Sequence, residues 1–258
     1  MLPRSVLVFL STLAVASAGP LRKRCSSVQP SATAPPPVAT SPAEEAASPT
    51  LPLTGAATEL PAANGTLKAI VVGHGIQNYT CSAAGANATS GGAVAVLYDI
   101  TSLYTTLTEE QRAKLPVDLL HNTELPLNLA PTSNNKYAAD VANPYKPDAD
   151  VQLDGLSAPL KVLGRHYFDA SGTPTFDVYG AGVLFKGAKL HNVKAPSTAD
   201  AGIMNTGAVD WLQLNDKGFS VGLTETYRVV TAGGNPLACT EAQQSFSVPY
   251  ASQYWFYD

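Results

Sequence analysis

Two side chains in strand-like segments could perform acid–base chemistry, a carboxyl group and an imidazole. Residues 221–229 alternate so that Glu225 shares a face with apolar side chains. Burial in apolar surroundings raises a carboxyl pKa toward the range that is useful for general acid–base catalysis. His166 lies in a second such segment, residues 161–168. Each residue has a structural alternative, Glu225 as a paired carboxylate and His166 as a hydrogen-bonded core histidine.

Aromatic side chains form a second group of candidates, because their rings could stack on sugars or on flat apolar ligands. Trp211 lies in the strand-like residues 209–214, and Tyr254 and Trp255 belong to an aromatic cluster at the C-terminus. These residues are also typical of a protein core, so both interpretations stay open. Asp177 and Asp210 join Glu225 as candidate carboxylates of a hydrolase.

Two short motifs imitate catalytic sequences and fail on their context. Residues 73–78 begin like a dinucleotide fingerprint, but Asn78 replaces the third glycine and no helix pattern follows. Residues 218–222 match G-x-S-x-G, but a nucleophile elbow needs a helix after Ser220 and a later histidine. The last histidine of the chain is His191. We therefore predict neither nicotinamide binding nor a serine nucleophile.

Metal and nucleic-acid ligands are not predicted. The four histidines show no metal-ligand spacing, and residues 148–159 depart from the calcium-loop pattern, with Pro159 where the closing Glu belongs. The sequence thus indicates no metal and no cofactor. The formal net charge of −4 argues against binding to nucleic acid.

The N-terminal region indicates export. Residues 1–18 have the pattern of a signal peptide with cleavage after Ala18. A basic run ending at Arg24 suggests a short propeptide, residues 19–24, removed by a convertase. Residues 25–64 are rich in Pro, Ser, Thr and Ala, a composition that predicts a disordered linker. We expect a secreted, extracellular protein without a membrane anchor.

Residues 65–258 read as a single β-rich domain. Short β-branched and aromatic runs separated by Gly, Pro, Asn and Asp predict an all-β fold, an antiparallel sandwich or barrel with one or two short helices. Residues 169–174 and 215–218 are predicted to be hairpin turns. Thr108 begins a capping box, and Pro116 is expected to end that helix after Leu115.

Cysteines and glycosylation sequons agree with a secreted domain. Cys81 and Cys239 lie near the two ends of the domain and are predicted to form a disulfide, which leaves Cys25 free to pair between chains. Three sequons predict N-glycosylation at Asn64, Asn78 and Asn87.

Several segments together resemble a family of secreted fungal and bacterial proteins that share a domain of unknown function. The resemblance covers roughly residues 66–258 and is carried by residues 75–81, 166–168, 172–176, 193–196, 207–212, 227–234 and 254–257. It implies a fungal extracellular protein and supplies no catalytic residues. Some members are labelled malate dehydrogenases, a label that the incomplete fingerprint at residues 73–78 does not support.

Three functions remain open from the sequence. The leading hypothesis is a secreted, glycosylated β-domain that binds an extracellular ligand or surface, with cell-wall carbohydrate as one candidate partner. The main alternative is an extracellular hydrolase that uses Glu225, Asp177 or Asp210. A third is a structural or host-interaction protein.

Overall fold

The computed structural model describes residues 48–258. The predicted signal peptide, the processing sites at Ala18 and Arg24, and Cys25 lie outside the described residues. Within the described part, eight antiparallel strands form a closed barrel in which each strand pairs with its neighbours in sequence and β8 pairs with β1. The prediction of an all-β antiparallel fold is confirmed, and the barrel is the correct alternative.

The strands vary from five to fourteen residues, and the longest two close the barrel. Their bounds are β1 Leu67–Thr80, β2 Thr89–Asp99, β3 Val162–Phe168, β4 Pro174–Val178, β5 Val183–Val193, β6 Trp211–Asp216, β7 Glu225–Gly233 and β8 Ser245–Tyr257. In the described part of the chain, one helix, α1 (Glu109–Asn122), and one 3-10 turn (Tyr179–Ala181) interrupt this order. No helix within residues 48–258 is long and apolar enough to cross a membrane.

Alternation along β8 separates two apolar layers, one inside the barrel and one outside. Tyr250, Tyr254 and Phe256 pack in the interior with Phe176 and Phe185. The intervening residues of β8 face outward, where Trp255 and Tyr257 pack in a second cluster with Trp211, Tyr104 and Leu119. Because β8 is covered on both faces, apolar and aromatic residues occur on both of its faces rather than on one.

Two glycines on the inner face of β1 make room for the barrel interior. A Cβ atom on Gly75 would lie 1.9 Å from the carbonyl oxygen of Val94, and one on Gly73 would lie 2.7 Å from the ring of Tyr254. The glycines of the apparent dinucleotide fingerprint therefore belong to the middle of a strand, where they allow close packing.

Helix α1 continues through Pro116, contrary to the sequence-based prediction that it ends at Leu115. Proline has no N–H for the carbonyl of Arg112, which would be its usual helical partner. In the barrel, Nε2 of Gln253 on β8 donates to that carbonyl at 2.7 Å. This tertiary hydrogen bond satisfies the oxygen that Pro116 leaves free, so the helix extends to Asn122.

Two further boundaries differ from those predicted. The predicted turn at residues 169–174 does connect β3 and β4. The second predicted turn, at residues 215–218, is in fact a longer loop over residues 217–224, because β6 ends at Asp216 and β7 begins at Glu225. In that loop Ser220 Oγ donates to Asp216 Oδ1 at 2.6 Å, which is a structural contact. Residues 51–64, assigned to the linker from composition, lie against the barrel, where Leu60 is buried.

The Cys81–Cys239 disulfide is present, as predicted, with Cα atoms 5.6 Å apart. It joins the residue that follows β1 to the segment that precedes β8. The N–H of Gln243 also donates to the carbonyl of Cys81. The two strands that close the barrel are thus fastened to each other at this end.

We expect the double substitution Cys81→Ser and Cys239→Ser to lower the free energy of unfolding by about 2–5 kcal/mol, because the bond constrains a long loop in the unfolded chain. Denaturant unfolding of the two proteins measures this difference, with Cys25→Ser as the control that should change nothing. Peptide mapping without reduction that linked Cys25 to Cys81 or Cys239 would contradict the pairing.

Candidate functional site

A cavity of about 400 Å³ opens at one end of the barrel, the end at which β1 finishes and β8 begins. We call it the mouth cavity. Its walls come from all strands of the barrel and are lined by Gln77, Tyr79, Ser90, Ala93, His166, Phe168, Pro174, Phe176, Lys189, Asn192, Lys194, Val209, Asp210, Leu212, Leu214, Arg228, Asn235 and Tyr254. Large apolar side chains such as Phe185 and Phe256 fill the other part of the interior. The size lies within the range of small-molecule sites.

His166 lies in the wall of the mouth cavity with its ring fixed in orientation. Its Nδ1 is 2.9 Å from the carbonyl oxygen of Thr175, and its ring stacks on Phe176 with centroids 3.8 Å apart and planes 4° from parallel. A carbonyl oxygen only accepts, so Nδ1 carries the proton and Nε2 is left as an acceptor. Burial, aided by the positive charge of Arg228, lowers the pKa of His166 to about 3. The imidazole is therefore neutral at physiological pH.

Arg228 supplies positive charge to the same cavity from the inner face of β7. Its Nε and Nη2 donate to the carbonyl oxygen of Asp210 at 3.2 and 2.9 Å. The Asp210 carboxylate pairs instead with Lys194 at 3.1 Å and accepts from Asn192 Nδ2. The rim thus combines a half-buried guanidinium with a carboxylate that already has a partner.

A donor inside the cavity has no partner among the described residues. Nε2 of Gln77, a residue that is 5% exposed, forms no hydrogen bond there. The neighbouring hydroxyl of Tyr79 donates to the carbonyl of Gly234 at 2.6 Å. Deeper in the interior the hydroxyls of Tyr250 and Tyr254 are 2.8 Å apart. Eight buried side-chain atoms lack a partner among the described residues, and Gln77 Nε2 is the one that lines the mouth cavity, where a ligand or water can accept from it.

Glu225 lies outside the barrel and away from this cavity. Its Oε1 accepts from Nε2 of Gln213 and its Oε2 from the N–H of Asn64 at 3.3 Å. Gln213 also donates to the hydroxyl of Tyr227, which in turn donates to the carbonyl of Pro61 at 3.1 Å. This network attaches residues 61–64 to β6 and β7, in agreement with the structural alternative for Glu225.

The other predicted site residues divide between the two sides of the sheet. Tyr254 and Asp210 line the mouth cavity with His166. Trp255 is completely buried outside the barrel against Tyr104, with ring centroids 4.8 Å apart. Trp211 is also buried on the outer face, beside a separate surface cavity of about 610 Å³.

The remaining candidates are a carboxylate and the three sequons. Asp177 alternates with the inward-facing Phe176 on β4 and does not line the mouth cavity. Asn64 and Asn87 are exposed. Asn78 is partly covered, and its Oδ1 accepts from Ser247 Oγ at 2.7 Å, so a glycan there would have to displace this contact.

Phe176, Arg228 and Gln77 are among the residues of the cavity that sequence reasoning missed. Arg228 was overlooked because the alternation along β7 drew attention to the face that carries Glu225, which is the outer one. The available signal was that Arg228 lies between Tyr227 and Val229 and therefore on the opposite face from them and from Glu225. No group of three His, Cys, Asp or Glu side chains within residues 48–258 is arranged to hold a metal ion.

We expect the neutral, buried His166 to make folding pH dependent. Because its pKa is lower in the folded state than in the unfolded state, its stabilising contribution is complete above pH 6.5 and is lost as the pH falls toward 3. The loss between pH 7 and pH 5 amounts to about 2 kcal/mol. Denaturant unfolding at both pH values should show a smaller loss for His166→Gln than for the wild type.

Two further variants test this assignment, a control at an exposed histidine and a second substitution at a buried one. His191→Gln, at an exposed position, should leave the pH dependence unchanged. Burial also lowers the pKa of His74 to about 3, so His74→Gln should act in the same direction as His166→Gln. Equal pH dependence in the wild type and both buried-site variants would contradict this assignment.

Comparison with known proteins places the fold and the site within one family. The family described as "Protein of unknown function (DUF3455)" matches residues 61–258, which include every strand of the barrel and every residue of the mouth cavity. No curated protein and no solved structure matches the chain. The chain therefore belongs to the DUF3455 family of proteins of unknown function.

Proposed function

We propose that this protein is a secreted barrel that binds a small organic ligand in the mouth cavity. Closed eight-stranded barrels have an interior just wide enough to be filled by side chains or to hold one small ligand. Here aromatic side chains fill one part of the interior, while the mouth keeps about 400 Å³ lined by both apolar and polar groups.

The observation that carries the proposal is the buried amide of Gln77, which has no partner among the described residues and lines the same cavity as the imidazole of His166. Among the described residues Gln77 Nε2 has no acceptor, and Nε2 of His166 forms no hydrogen bond. A donor and an acceptor held on a rigid apolar wall are typical of a site that orients a bound molecule.

A small ligand is better supported than a polymer bound to the surface. The two tryptophans, which were candidates for stacking on sugars, are 4% and 0% exposed and do not form an open platform. The hydrolase alternative draws less support, because Asp210 is the only one of its three candidate carboxylates that lines the mouth cavity. The Asp210 carboxylate is already paired with Lys194.

Secretion is part of the proposal and rests on features from separate parts of the chain. The N-terminal signal pattern and the sequons predict export, and the Cys81–Cys239 disulfide is typical of oxidising compartments. Exposure of Asn64 and Asn87 is compatible with glycans at these two sites.

Blocking the mouth tests the proposal. We expect the neutral dye N-phenylnaphthylamine to bind the wild type saturably, with one molecule per protein and an increase in fluorescence. Ser90 is exposed and lines the mouth cavity, so the ring of Ser90→Trp should occupy the entrance and abolish binding. Fluorescence titration measures both proteins.

The matched control is Ser157→Trp, which adds the same ring at an exposed position away from the mouth. This variant should bind like the wild type, and the circular dichroism of all three proteins should agree. Equal binding by Ser90→Trp and the wild type, or no binding of the dye by the wild type, would contradict a site in the mouth.

A further inference from the structure

We propose that the ligand of the mouth cavity is an aromatic carboxylate whose acid group binds Arg228 and whose ring packs against Phe176 and Tyr254. This inference rests on the proposed function and specifies its ligand class. It follows from a half-buried arginine that has no carboxylate partner among residues 48–258 and that faces an aromatic wall.

Arg228 brings an uncompensated charge into the barrel. Within residues 48–258 its only hydrogen bonds are those from Nε and Nη2 to the neutral carbonyl of Asp210, and it forms no ion pair. A charge removed from water is costly unless an opposite charge accompanies it. The charge acts on the cavity, since it helps to lower the pKa of His166 and opposes the rise that burial causes in the pKa of Tyr79.

The other charged groups of the rim leave an excess of positive charge. Lys194 is paired with Asp210, whereas Lys189 forms no ion pair with the described residues. Among residues 48–258 no second Asp or Glu lines the cavity. Arg228 and Lys189 are thus the cations that a bound anion would neutralise.

The unused edge of Arg228 suits a carboxylate in particular. With Nε and one hydrogen of Nη2 directed at Asp210, the Nη1–Nη2 edge keeps one N–H on each nitrogen. Two parallel N–H groups match the two oxygens of a carboxylate, and such charge-assisted pairs are stronger than neutral hydrogen bonds. The free Nε2 of Gln77 can donate to a further oxygen on the ligand.

The wall beside Arg228 suits a flat ring. Arg228 pairs in the sheet with Tyr254, whose ring centroid lies 4.9 Å from that of Phe176. Phe176 and His166 are stacked parallel and almost fully buried, and the more exposed Phe168 and the half-buried Leu212 add apolar surface to the cavity. Aromatic rings pack favourably against such surfaces at ring separations of this order.

Comparison of naphthoate with its neutral analogue naphthylmethanol separates the contribution of the acid group to the affinity from that of the ring. At pH 7 isothermal titration calorimetry should show naphthoate binding about tenfold more tightly than naphthylmethanol, the difference expected for a hydrogen bond to a charged group. Arg228→Gln should remove that preference and leave the affinity for naphthylmethanol unchanged. Acetate should bind at least tenfold more weakly than naphthoate, because burial of the ring supplies about 25 cal/mol per Å².

The control variant is Arg112→Gln, which removes the same charge from helix α1 on the outside of the barrel and should leave both affinities unchanged. Arg228→Lys retains the charge without the two parallel donors and should give an intermediate preference.

Equal affinity for the acid and the alcohol in the wild type would overturn the carboxylate inference and leave the proposed function standing. Acetate binding as tightly as naphthoate would overturn the aromatic part. Binding of neither naphthalene would count against the proposed function itself.

Discussion

Pairing of β1 with β8 is the interaction on which the rest of the structure depends. The two strands pair along their whole length, from Leu67 opposite Tyr257 to Thr80 opposite Ser245. This pairing closes the sheet, removes its free edges and creates an interior that is separate from the outer face. Helix α1 and residues 51–64 then cover the outer face, and the Cys81–Cys239 disulfide holds the two strands together beside the mouth.

Once the barrel is closed, strand alternation decides which chemistry lies inside. On β7, Glu225 and Arg228 are three residues apart and therefore face opposite sides of the sheet. Glu225 joins the network that anchors residues 61–64, whereas Arg228 enters the mouth cavity. The closed barrel thus separates a structural carboxylate from the group that we propose recognises the ligand. His166 reaches the same cavity from β3 and is kept neutral by its burial.

Local patterns predicted most of the elements but not the side of the sheet that faces inward. β-branched and aromatic runs identified the strand regions, and elimination of Cys25 identified the disulfide correctly. Alternation cannot say which face lies inside when both faces of a strand are buried, as in β1 and β8. Long-range contacts account for two other differences between prediction and structure. The hydrogen bond from Gln253 allows helix α1 to continue past Pro116. The carboxylate of Glu225 binds the N–H of Asn64, at the end of a segment that composition assigned to a linker.

The most direct measurement of the central claim is the position of a bound ligand inside the barrel. Nuclear Overhauser effects between bound naphthoate and the protein would locate the ring within about 5 Å of its neighbours, the distance range of aromatic contacts. We predict effects to the rings of Tyr254, Phe176 and His166, which line the mouth cavity. Saturable binding with Overhauser effects only to outer residues such as Trp211 and Tyr104, beside the external cavity, would contradict the claim that the ligand binds inside the barrel.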